Sequence, residues 1–339
     1  MSLTSPVRFA LLGAGFIGSA HAVNLAAHPA VDFAVVFDVD LPRATALAAK
    51  YGAVATDDLE AVFGDPSIDA VLIASSTDTH AEHLGNAARA GKAIFCEKPI
   101  DLDLARATEA VRVVEESGVP AMIDFNRRFD RDYASLQAQV RAGDIGTVEL
   151  VHLTSRGPSM PPLEYLAVSG GQMRDQAVHF FDLLTWITGE KPVEVFAAGS
   201  ALAEPRLTEI GDVDTSVVTV RLESGALCQI DCTRRIGYGY DERIEVVGSL
   251  GMIEARRQRN GSVSKYVGST IVEDGLHAGW FERLRDSYAA SLGAFVSALV
   301  EERTPSPSLA DGLRAQALAD AATESLSVRR PIMVTAVEV

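Results

Sequence analysis

The chain has 339 residues, 47% of them hydrophobic and 22% charged, and carries a formal net charge of −16 at pH 7. That length exceeds what one hydrophobic core serves, so two domains are expected. The acidic balance excludes nucleic acid and anionic membrane surfaces as partners, which would repel it, and no window offers the twenty apolar residues of a membrane span. In chain order, the first predicted element is a buried strand over residues 9–12. Gly13, Gly15 and Gly18 follow in G-x-G-x-x-G spacing, and Ile17, Ala20, Val23 and Leu25 mark a helix that ends at His28-Pro29. The run "FALLGAGFIGSAHAV" has the apolarity of a signal-peptide core, but only Arg8 precedes it, and the glycines have a better explanation. Gly13 permits a tight turn, Gly15 lets a pyrophosphate approach the backbone, and Gly18 lets the helix pack closely on the strand. The helix start, with Phe16 and Ile17 in its first turn, offers free N–H groups to phosphates.

A second strand over 33–37 ends at Asp38, twenty residues after Gly18. An acid there binds the adenosine ribose hydroxyls and repels a 2′-phosphate, so the expected cofactor is NAD rather than NADP. Arg43 either offsets this in part or lies on a solvated helix face. Helices over 41–50, 57–63, 78–90 and 103–117 alternate with strands over 69–74, 92–96 and 120–125. This predicts an α/β fold, a Rossmann doubly wound parallel sheet over residues 1–124, with the cofactor at the strands' carboxyl ends. Ser75, Ser76, Thr77 and His80 then either contact the nicotinamide ribose or cap the next helix. His80 and His83 share a helix face, but no third ligand has suitable spacing, and no metal is expected. Glu97 and Lys98 follow a buried strand directly, which puts the lysine at the cofactor cleft; a surface lysine is the alternative.

The stretch "GGQMRDQAVHFFD" at 170–182 reads as a largely buried helix. On it Asp175, His179 and Asp182 fall at i, i+4 and i+7, one polar stripe on an apolar cylinder. Buried polar groups need partners. The residues alone fit either a hydrogen-bonded core histidine with a carboxylate or a catalytic pair. The three cysteines, Cys96, Cys228 and Cys232, show no pairing pattern. On a strand over 226–234 the last two stand about 13 Å apart, too far for a disulfide. A reducing cytoplasm is the expected compartment.

From residue 7 to 332 the chain resembles the glucose-fructose oxidoreductase / inositol dehydrogenase / rhizopine catabolism family (Gfo/Idh/MocA), and within it the bacterial inositol 2-dehydrogenases. The matching pieces are "GAGFIG" (13–18), "CEKP" (96–99), "FNRRFD" (125–130), "SGGQMRDQAVHFFD" (169–182), "GDVDTSVVTV" (211–220) and "RRIGYGYDERIEVVGSLGM" (234–252). The resemblance implies a second domain over 125–339, α+β with a large, mostly antiparallel sheet, for substrate binding and oligomerisation as a homotetramer or dimer. Strand-like segments at 193–199, 213–222, 226–233 and 242–248, then helices at about 280–303 and 309–327, agree with it.

The resemblance also implies NAD-dependent oxidation of a secondary alcohol on a cyclic polyol, inositol in the first instance. Lys98, Asp175 and His179 match the family's catalytic lysine, aspartate and histidine. Histidine suits the removal of a hydroxyl proton near neutral pH, the aspartate orients it, and the lysine stabilises charge developing on the alcohol oxygen. Arg127, Arg156, Tyr238 and Tyr240 match positions lining the polyol pocket, the two tyrosines two apart on an expected strand with packing as the alternative for either, and Arg128 is expected to bridge to an acidic neighbour. Two positions depart from the pattern. The loop Ser155-Arg156-Gly157-Pro158 lacks the family's usual Asp or Asn, and Phe180 stands where an acid usually follows the histidine. A different isomer or an aldose is therefore an alternative substrate, and a non-catalytic nucleotide-binding regulator is the alternative from another class.

Overall fold

Six short apolar strands build the first sheet: β1 (Val7–Leu12), β2 (Val31–Phe37), β3 (Val54–Thr56), β4 (Ala70–Ile73), β5 (Ala93–Cys96) and β6 (Ala121–Ile123). The computed structural model describes residues 6–337. All five neighbouring pairs are parallel, in the order β3-β2-β1-β4-β5-β6. β4 and β5 are buried throughout, as strands covered on both faces must be. Between the strands run α1 (Phe16–Ala27), α2 (Leu41–Ala48), α3 (Leu59–Gly64), α4 (Thr77–Arg89) and α5 (Leu104–Ser117). Asp40, Asp58 and Asp103 cap α2, α3 and α5 by accepting from the backbone N–H three residues on. The order of strands reverses between β1 and β4, the doubly wound arrangement expected, and such a reversal opens a ligand crevice at the strands' carboxyl ends.

The second sheet has seven strands in the order β12-β11-β7-β10-β9-β8-β15. Ahead of and within it come α6 (Arg131–Ala142), β7 (Val148–Arg156), α7 (Leu163–Leu166), a π-helical turn over Met173–Ala177 and α8 (Val178–Thr188). Then follow β8 (Pro192–Ser200), β9 (Thr215–Leu222), β10 (Leu227–Thr233), β11 (Asp241–Gly248) and β12 (Gly251–Ala255). A separate hairpin, β13 (Ser264–Val267) with β14 (Thr270–Glu273), precedes α9 (Trp280–Val300), α10 (Leu309–Val328) and the edge strand β15 (Ile332–Met333). The sheet is antiparallel except where β10 lies parallel to β7. Inward residues of β9 and β10 alternate with exposed ones.

The division between units is not contiguous in sequence. One unit comprises the described residues up to Asn126 together with Ser287–Arg314; the other comprises Arg127–Asp286 and Ala315–Ala336. A single boundary at 124/125 was expected. The difference has a packing cause: the Phe295 ring lies edge-on to Phe95 at 5.5 Å and to Phe9 at 6.2 Å, so most of α9 belongs to the first core. Cys96, Cys228 and Cys232 are free thiols, all buried, and burial raises the pKa of each. Among the described residues no helix is long and apolar enough to cross a membrane.

Candidate active site

In the first unit the glycine loop has the required geometry. Gly13 sits at φ +105°, and a Cβ there would lie 2.5 Å from the Ala74 carbonyl oxygen. A Cβ on Gly18 would lie 1.9 Å from the Gly13 oxygen, whereas one on Gly15 would meet nothing within 4 Å. Gly15 therefore faces open space, where a phosphate fits. It takes the N-cap place of α1, and no side chain caps that helix, which leaves its first N–H groups for an anion. Phe16 in the first turn is exposed and Ile17 half-buried. Asp38 ends β2 almost buried. It accepts hydrogen bonds from Ala14 N at 2.7 Å and Asp40 N at 2.9 Å, so it fixes the glycine loop. Arg43 Nη1 is 3.8 Å from it.

Ser75 and Ser76 follow β4, and Thr77 opens α4. The Ser75 hydroxyl pairs with Thr79 Oγ1 at 2.7 Å, and Ser76 takes the N-cap place without a side-chain cap bond. His80, read as either a ribose contact or a helix cap, is turned toward two backbone carbonyls. It is 2% exposed, with Nδ1 2.8 Å from the Pro99 carbonyl and Nε2 3.1 Å from that of Ser75. Glu97 is likewise turned inward: Oε1 lies 2.8 Å from His21 Nε2, and Oε2 accepts the Lys98 N–H at 3.2 Å. His21 Nε2 is also 3.7 Å from Asp124 Oδ2. Burial opposes a charge on His21, but the Glu97 hydrogen bond and the carboxylates of Glu97 and Asp124 prevail and raise its pKa. Among the described residues these three bring potential metal-ligand atoms within 4.8 Å of one another. The 2.8 Å contact is accounted for as a hydrogen bond.

In the second unit the stretch 170–182 is not one uniform α-helix. The π turn over Met173–Ala177 carries Asp175, and α8 carries His179 in its first turn and Asp182 in its second. The wider turn breaks the straight i, i+4, i+7 stripe; such turns recur at functional sites. Asp182 pairs with Arg128 through two hydrogen bonds, one of 2.8 Å. Arg128 thereby meets the acidic neighbour expected of it. Asp175 accepts from Tyr165 Oη at 2.8 Å and from Arg234 Nη1 at 3.1 Å. Arg234, 3% exposed, also reaches Asp212 at 3.4 Å. The turn is anchored by Gln176, which donates to Ser155 and Thr233 carbonyls at 3.0 and 3.2 Å.

Arg127 and Tyr240, expected in the polyol pocket, are buried in a polar network. Both bond Glu242, Arg127 at 2.9 Å, and Arg127 donates to Tyr240 Oη at 3.0 Å. Arg156 donates to Asp231 at 2.6 Å and to Tyr238 Oη at 3.2 Å, and Tyr238 donates to Asp241 at 2.9 Å. Tyr238 and Tyr240 do not share the face of a strand. They lie in the loop before β11 with Gly239 at φ +108° between them, and Tyr238 is 47% exposed where Tyr240 is 6%. Sequence reasoning missed Tyr165, Arg234, Gln176 and His21. His21 lay three residues beyond Gly18 and Arg234 headed a quoted motif, but no charge pattern in the sequence tied either to its acid.

Residues 7–125 match the profile described as oxidoreductase family, NAD-binding Rossmann fold, and residues 133–254 that of the GFO/IDH/MocA C-terminal domain. An inositol 2-dehydrogenase of Rhizobium meliloti (strain 1021) is 40% identical over 328 residues, 97% of this chain and 99% of the relative. A crystal structure of a myo-inositol dehydrogenase from Corynebacterium glutamicum superposes with a TM-score of 0.92 at 35% identity, covering 98% of this chain and 100% of that one. A scyllo-inositol dehydrogenase from Lactobacillus casei, crystallised with bound NAD(H) and scyllo-inositol, gives a TM-score of 0.92 at 25% identity over 97% and 99% of the two chains.

Proposed function

We propose that this chain, which belongs to the GFO/IDH/MocA family of NAD-binding oxidoreductases, is an NAD-dependent dehydrogenase. Its reaction is the oxidation of a ring hydroxyl of an inositol, myo-inositol at carbon 2 first, to the keto-inositol. The observation that carries the reading is 40% identity to an inositol 2-dehydrogenase along nearly the whole of both chains. The residues present suit NAD: an open approach at Gly15, the uncapped start of α1 and a carboxylate at Asp38. Gly13, Gly18, Phe16 and Ile17 complete that loop, with Ser75, Ser76 and Thr77 beside the nicotinamide ribose. When bound, NAD would supply the hydride acceptor for the carbinol carbon.

The protein's own groups handle the oxygen and its proton. His179 removes the hydroxyl proton. Asp175, steadied by Tyr165 and Arg234, sets the imidazole and stabilises its cation. Lys98 stabilises negative charge on the alcohol oxygen, an effect worth about 2.7–4 kcal/mol of barrier. Arg156 and Tyr238 meet further ring hydroxyls, and the Arg127–Tyr240–Glu242 network is the wall behind them. The enzyme is proposed to be cytoplasmic and a homotetramer. Subunits join through the face of the second sheet on which in-register Leu150, Leu227 and Met252, with Phe196 and Val217, stand exposed.

Absorbance at 340 nm, with NAD and a panel of myo-inositol, scyllo-inositol and glucose, tests this reading. NADH forms with an inositol, and His179→Ala lowers kcat at least about 100-fold while NAD still binds. Glucose as the preferred substrate moves the enzyme to an aldose. Silence across the panel with tight NAD binding makes the chain a nucleotide-binding regulator.

A further inference from the structure

Lys98 is flanked on both sides by residues that buried histidines hold. On the amino side, His21 from α1 contacts the Glu97 carboxylate at 2.8 Å, and the other oxygen of that carboxylate accepts the Lys98 N–H at 3.2 Å. On the carboxyl side, His80 from α4 contacts the Pro99 carbonyl at 2.8 Å and the Ser75 carbonyl at 3.1 Å. Neither ring is accessible: His21 is 0% and His80 2% exposed. The surroundings fix both rings further. Phe95 and Tyr288 pack edge-on against His21 at 5.7 and 5.5 Å, and Asp124, bonded by Ser291 Oγ at 2.6 Å, stands 3.7 Å from its Nε2.

A helical histidine buried this deeply costs desolvation unless its ring has a task. One nitrogen of each ring is spent on the three-residue segment 97–99 rather than on its own helix. We propose that His21 and His80 are positioning residues that grip the chain on either side of Lys98 and thereby fix where its ammonium group stands. The proposal rests on the reading above in which Lys98 acts on the substrate oxygen. Misplacement of a reacting group by about 1 Å costs on the order of 100-fold in rate, so the grip has kinetic weight.

The ring chemistry gives a discriminating test. Burial lowers the His80 pKa, so the ring is neutral at working pH and donates from one nitrogen only. Nδ1 has the shorter contact, so the proposal puts the proton there and the working bond at Pro99. An asparagine amide places a donor near the position of Nδ1, and a glutamine amide places one near Nε2. His80→Asn therefore retains at least a third of kcat, and His80→Gln loses about 10-fold or more. His21→Leu loses about 10-fold, and His21→Gln, with a donor where Nε2 stood, recovers most of it. NAD dissociation constants and melting temperatures, measured on all four, stay within threefold and a few degrees of the parent for the Asn and Gln variants. Equal losses in His80→Asn and His80→Gln that follow melting temperature reduce the histidines to packing and overturn the proposal. So does normal kcat in His80→Gln and His21→Leu when Lys98→Ala is inactive. Full turnover in Lys98→Ala removes the role of the lysine itself, and the grip with it.

Discussion

Arg128 and Asp182 bury a full ion pair, each side chain under a tenth exposed, joined by two hydrogen bonds and covered by Trp186 at 5.8 Å from the guanidinium. Such a pair adds little net stability when intact, but removing one partner strands the other charge away from water. Arg128→Ala is expected to destabilise the protein by about 3–5 kcal/mol in urea unfolding, and Arg128→Ala/Asp182→Leu to recover part of that. The acidic partner of Arg128 was legible in the sequence as a need, though not as an address. Asp182 was read instead with Asp175 and His179, because spacing within one helix says nothing of a partner 54 residues away; the π turn changes only the place of Asp175 on the stripe. Tyr238 and Tyr240 were misread for a related reason. The backbone at Gly239 turns through a positive φ, and a two-residue spacing has meaning only on a strand.

Among elements, α1 does more than offer its amino end to phosphate, because its second turn carries His21 into the first core. The folded-state pKa of His21 is raised above its ordinary 6.5. Its contribution to stability is therefore complete below pH 6.5 and is lost as pH rises through the folded value. His28, His80, His83 and His277 are lowered by burial, so their titrations act below pH 6.5 and do not enter that window. The melting temperature of the parent is expected to fall between pH 6.5 and 9 more steeply than that of His21→Gln; parallel curves would contradict the assignment. Five of the six parallel strands were legible because their runs are continuously apolar; β3, three residues long and exposed at Val54, was not. β7 was not named in advance: it buries Thr154 and Ser155 and exposes Leu150, so neither a continuous run nor a clean alternation marks it. β13 and β14 are exposed at every residue and leave no hydrophobic pattern at all.

For the whole molecule, the second sheet has one face that alternation in sequence identifies as outward but cannot identify as covered. Val217 on β9 and Leu227 on β10 are exposed there among polar neighbours. Val217→Glu/Leu227→Glu is expected to shift the sedimentation coefficient from that of the proposed tetramer to that of smaller species with the secondary structure intact. An unchanged coefficient would place the interface elsewhere. The return of residues 287–314 to the first unit was also outside what sequence could tell, since linear order carries no record of which core a late helix joins. That late return bears on synthesis. When a ribosome has delivered Asn126, Phe9 and Phe95 still lack the ring of Phe295, which is about 170 residues further on. At roughly 5–20 residues per second the nascent nucleotide fold stays unsealed for on the order of ten to thirty seconds, long enough to make it a natural client for chaperones.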